Sequence, residues 1–121
     1  MDKRFPIETA IAAKSEAGVL DITSGDTSDS TYSLEVADQV VELTVNTANS
    51  SVTISLPSVV EAKGRIYSIM AVLVANSKHV YVTDKAGDDT LLATIDLDTT
   101  ADFVILYSNG RRWFILASEM A

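Results

Sequence analysis

Residues 102–116 read DFVILYSNGRRWFIL, and this stretch decides the fold. Two apolar runs, Phe103–Tyr107 and Trp113–Leu116, flank Ser108-Asn109-Gly110. Asn-Gly is the strongest short hairpin signal, because both residues tolerate positive φ. The expectation is an antiparallel hairpin. Both of its strands carry apolar residues at successive positions. A strand apolar on both faces belongs in the middle of a sandwich or at a subunit interface.

Working back from the hairpin, the pattern is strand after strand. Leu91, Ala93, Ile95 and Leu97 alternate with Thr94 and Asp96, and Val80 and Val82 flank Tyr81. Arg65–Val74 (RIYSIMAVLV) is again apolar on both faces. Val52, Ile54 and Leu56 alternate with Thr53 and Ser55, as do Val41, Leu43 and Val45 with Glu42 and Thr44. A period of two places one face on a core and the other toward water. Pro57 ends its strand, since proline cannot donate to a ladder. Ser58–Gly64 has room for one helical turn, and Asp84–Thr90 is a polar turn. The expected architecture is all-β, an antiparallel β-sandwich or jelly-roll-like body of seven to nine short strands. No solenoid repeat is visible.

The body is expected over residues 18–121, with the polar cluster SGDTSDST at 24–31 as a loop. Residues 1–17 are expected to form a short N-terminal arm, with at most a helical turn. Phe5, Ile7 and Ile11 are its apolar members. They are candidate protein-interface residues, because an arm bearing them needs a surface to dock on. Docking on its own subunit and on a neighbour both remain open.

The chain has 121 residues, enough for one domain with its own core. There is no cysteine, which excludes disulfides and thiolate metal sites. The formal net charge is −8, which disfavours a phosphate backbone as partner. No apolar run is as long as a membrane helix, and the first residues lack a signal-peptide core. No nucleic-acid or membrane partner is expected.

The residues offer little chemistry. His79 is the only histidine, and it reads as an ordinary strand residue. There is no G-x-S-x-G, P-loop or G-x-G-x-x-G, and a lone histidine could build a zinc site only with carboxylates, so no catalytic residue, no metal site and no cofactor is expected. Asp84, Asp88 and Asp89 surround Gly87, a weak calcium pattern without the EF-hand spacing. Asp96, Asp98 and Asp102 bracket a turn, and no sugar platform accompanies them. Trp113 reads as core. The chain is not expected to be an enzyme.

The segments SVTISLPSVVEAKGRIYSI, KHVYVTDKAGDD and ADFVILYSNGRRWFIL together resemble a module of tailed-bacteriophage virion proteins. The resemblance rests on Leu56-Pro57, Gly64, Tyr67, the Asp/Gly-rich turn Asp84–Asp89, and Gly110 with Trp113, and it covers residues 51–117. It implies a structural virion protein of the capsid-decoration (cement), head-fibre or tail-fibre kind, often trimeric. The expectation is a capsid decoration protein on the virion surface. It would bind the major capsid protein as a homotrimer and stabilise the shell. The alternative is a fibre module that recognises a host-surface receptor or glycan. The missing shaft and the scarcity of aromatic residues at the loop ends favour decoration.

Overall fold

A computed structural model of the chain describes residues 10–14, 19–24, 30–46, 51–91 and 93–120. They form ten strands and no α-helix: β1 (Ala10–Lys14), β2 (Leu20–Ser24), β3 (Ser30–Ser33), β4 (Val40–Val45), β5 (Val52–Ser55), β6 (Ile66–Val74), β7 (Val80–Thr83), β8 (Ile95–Leu97), β9 (Phe103–Ser108) and β10 (Trp113–Glu119). A large sheet has the order β1-β2-β4-β6-β9-β10, and a small sheet has the order β3-β5-β7-β8. The all-β, sandwich-like expectation holds at this level.

The antiparallel expectation is corrected. The centre of each sheet is parallel: β2, β4 and β6 pair in parallel, as do β3, β5 and β7. From β2 to β7 the chain alternates between the sheets, so each return brings it back in the same direction. Parallel neighbours need a crossover connection, and here a strand of the opposite sheet provides it. The result is three stacked coils. Leu20 lies beside Val41 and Val41 beside Ile69 in one sheet. Tyr32 lies beside Ile54 and Ile54 beside Val82 in the other. The ladders are not the antiparallel pairs from which a jelly roll is built. The coils escape notice in the sequence because they are unequal. Pro57–Arg65 is inserted only between β5 and β6, so no fixed period survives.

Antiparallel pairing takes over at the C-terminal side. β8 turns back on β7, β9 on β6, and β10 on β9. The expected hairpin is present, but its loop runs from Asn109 to Arg112, since Ser108 pairs with Trp113. Asn109 Oδ1 accepts the N–H groups of Arg111 and Arg112, at 2.8 and 2.9 Å. Gly110 has φ +89°, and a Cβ there would stand 2.8 Å from the Lys63 side chain. The positive φ favours glycine, and a Cβ would also push the Lys63 chain aside.

Alternation of side chains along each strand fills the space between the sheets. Leu20, Ile22, Val41, Leu43, Val45, Tyr67, Ile69, Val104 and Leu106 from the large sheet meet Val52, Ile54, Val80, Val82, Ile95 and Leu97 from the small one. Trp113 is core as expected, edge-on to Tyr67 with ring centroids 5.5 Å apart. Burial of each such side chain contributes about 1.5–3 kcal/mol relative to exposure. The Pro57–Arg65 insertion forms the single turn foreseen for it, with the Ala62 N–H donating to the Ser58 carbonyl. The buried Ser108 hydroxyl fastens that turn to β9 by donating to the Val59 carbonyl at 2.6 Å.

The helical turn considered for residues 1–17 gives way to a strand over Ala10–Lys14. β1 pairs antiparallel with β2, Ile11 standing opposite Thr23. That part of the arm therefore docks on its own subunit. Phe5 and Ile7 lie outside the described residues.

Candidate interaction surface

The outer face of the large sheet carries the most unusual chemistry of the molecule. In a sheet with one face on the core, the other face is ordinarily polar. Here Val40, Ile66 and Met70 are exposed on that face, and Phe103, Ile105 and Tyr107 are half-buried there. The register assembles them into rows. Phe114, Tyr107 and Ile66 lie side by side across β10, β9 and β6. Ile105, Ser68 and Val40 form the next row, and Phe103 with Met70 the third. No charged residue stands in the first two rows. Carboxylates enter at the third, where Glu119 pairs with Phe103 and Glu42 with Met70.

The apolar surface continues around the free edge of β10. The large sheet has six strands and the small one four, so β10 extends past β8. Among the described residues, no strand lies opposite its inner side. An open groove of about 530 Å³ results, bounded by Leu91, Ile95, Trp113, Ile115 and Met120 among others. Ile115 is 49% exposed and Leu116 54%. The Trp113 indole Nε1 is buried with no hydrogen-bond partner among the described residues. A register shift between Ile115 and Ala117 leaves Leu116 as an extra residue in the ladder, a β-bulge on the outermost strand.

Three of the acidic residues singled out in the sequence, Asp84, Asp88 and Asp102, have structural duties. Asp84 Oδ2 accepts the N–H groups of Thr90 and Leu91, at 2.7 and 3.0 Å, and closes the loop after β7. Asp88 Oδ2 accepts the Val59 N–H and ties the same loop to the Pro57–Arg65 insertion. Each of these two carboxylates thus serves backbone amides, in different places. Asp102 is buried and accepts the Thr99 N–H within its own turn. Tyr32, the aromatic residue beside the long polar loop, is buried in the core and is not displayed at a loop end.

Among the described residues, one group of three potential metal ligands converges: His79, Asp96 and Asp98. Sequence reading had separated them, since His79 and Asp96 are distant in the chain. Only the β7–β8 register, with Tyr81 opposite Asp96, brings them to one place. Tyr67 holds the other polar contact of note. It is fully buried, its hydroxyl donates to the Val36 carbonyl at 2.6 Å, and burial raises its ionisation above the ordinary tyrosine value. The neighbouring Arg65 works against that rise, and Asp38 adds to it.

No helix among the described residues is long and apolar enough to cross a membrane. Comparison with known protein families, with curated proteins and with solved structures finds no match.

Proposed function

We propose that this chain is a structural protein of a phage particle, one that decorates and stabilises the capsid by binding the major capsid protein. It acts by contact rather than catalysis. The observation that carries this reading is the uncovered apolar face of the large sheet, from Val40 across Ile66 and Tyr107 to Phe114. Exposed patches of this kind mark interaction surfaces. The motif residues that resemble virion modules occupy structural positions, which supports the same reading. Leu56 is buried and followed by Pro57 at the end of β5, Gly64 and Gly110 take positive φ, and Tyr67 packs on Trp113.

In this reading the apolar face serves protein contacts of both kinds, between copies in the homotrimer that the resemblance implies and with the capsid protein. Phe5 and Ile7 are further candidate contacts with the capsid protein. A partner that binds only the assembled shell stabilises it by mass action.

Imaging of the purified particle tests the proposal. Many copies distributed over the shell are expected, and a few copies restricted to the tail would overturn it in favour of a fibre module. Removal of residues 1–9, which leaves β1 in place, is expected to lower occupancy on shells while the circular dichroism spectrum stays that of a β protein.

A further inference from the structure

We propose that the outer edge of the small sheet holds a divalent transition-metal ion of the zinc class, bound by His79, Asp96 and Asp98. Ile95 and Leu97 point into the core, so Asp96 between them points outward. The β7–β8 pairing sets Asp96 opposite Tyr81 and brings it to the His79 ring. His79 Nδ1 lies 3.0 Å from Asp96 Oδ1 and 3.1 Å from Asp96 Oδ2. One ligand atom from each of the three residues lies within 4.8 Å of the other two.

These distances fit one small ion. Zinc binds imidazole nitrogen and carboxylate oxygen at about 2.0–2.2 Å, so two ligands of a tetrahedral ion stand roughly 3.3 Å apart. The His79–Asp96 pair already has nearly that separation. Asp98, exposed just past the end of β8, closes the remaining gap by turning its side chain. Among the described residues, its Oδ1 accepts a long bond from the Thr99 hydroxyl, at 3.2 Å.

The imidazole is held in place before any ion arrives. The His79 backbone N–H donates to the Ser51 hydroxyl at 3.0 Å. The ring stacks on Tyr81, with centroids 5.2 Å apart and planes 10° from parallel. Two carboxylates balance the charge of a divalent ion, and water completes the coordination. The imidazole nitrogen selects zinc, nickel or cobalt over calcium and magnesium, which prefer oxygen ligands alone. Without an ion, the same residues would form only a half-exposed histidine–aspartate pair, which contributes little to stability. The proposal does not depend on the virion reading, since the site lies on the opposite sheet from the apolar face.

Zinc chloride titrated into the full chain without a polyhistidine tag is the test. His79 is the only histidine, so its ring nitrogen resonances report on the site without ambiguity. Saturation at one ion per chain is expected, with a shift of a single ring nitrogen. Asp98→Asn changes an exposed side chain and is expected to weaken binding by at least the roughly tenfold that loss of a supporting partner costs a metal site. His79→Gln is expected to abolish binding, while thermal melting in chelator shows both variants folded. Ring signals unmoved by equimolar zinc would overturn the proposal. So would binding that survives in both variants, or calcium chloride binding as tightly as zinc.

Discussion

The two sheets share one core and turn opposite chemistries outward. Outward positions of the small sheet include Thr53, Ser55, Tyr81, Thr83 and Asp96. Those of the large sheet include Val40, Ile66, Met70 and Phe114. Both sheets obey the same period of two, and both bury the same kinds of residue inside. The inner faces therefore explain why the chain folds, and the difference between the outer faces indicates where it meets other molecules. In the proposed reading, the outer face of the large sheet is the one that takes a protein neighbour.

The comparison is broken most severely from within. Ile69 points into the core, between the outward-facing Ser68 and Met70 on β6. Ile69→Ala is expected to cost about 2–5 kcal/mol of unfolding free energy, read by chemical denaturation. One turn of the pleat separates this effect from a different one. Ile66→Asp, on the outer face, is expected to weaken self-association by roughly tenfold or more while shifting the melting temperature little. Light scattering across a dilution series reads the first quantity and calorimetry the second. An unchanged oligomeric state would remove the large sheet as the contact surface.

Tyr67→Phe probes the shared core more gently. Loss of the bond to the Val36 carbonyl is expected to cost about 1 kcal/mol. The raised ionisation of Tyr67 also gives a pH signature. Above about pH 10 an unfolded chain releases the phenolic proton while the folded chain retains it. The unfolded state then binds fewer protons, so stability falls as pH rises toward the folded value. Below pH 10 this contribution is complete. Denaturation midpoints between pH 9 and 11 should decline less steeply in Tyr67→Phe than in the parent. The smallest effect is expected on the small sheet. Thr53→Asp should change stability by less than about 0.5 kcal/mol and leave association untouched.

The alternating strands and the final hairpin were legible in the sequence because their signals are local. The period of two in 41–45, 52–56 and 80–82 is written in neighbouring residues, and so is the turn at Asn109-Gly110. Parallel pairing was not legible. It depends on which strands meet after a crossover, and Pro57–Arg65 makes the three coils unequal. β1 was missed for a related reason, since Ala10–Lys14 is held by pairing with β2 more than by a pattern of its own. The doubly apolar runs 65–74 and 102–116 did announce a second apolar face, which is the exposed and half-buried outer side of β6, β9 and β10. The meeting of His79 with Asp96 had no signal in the sequence, because it follows from register alone.

The extra residue at Leu116 has a consequence for growth. The outermost strand of any open sheet invites another strand to add, and an apolar one invites it repeatedly. The bulge interrupts the ladder partway along β10, so an incoming chain finds no long straight template. In the proposed reading, the apolar surface can thus make trimer contacts of fixed number without becoming the seed of a filament. Deleting Leu116 would straighten the edge, and the expected outcome is fibrillar material that binds thioflavin where the parent protein stays dispersed.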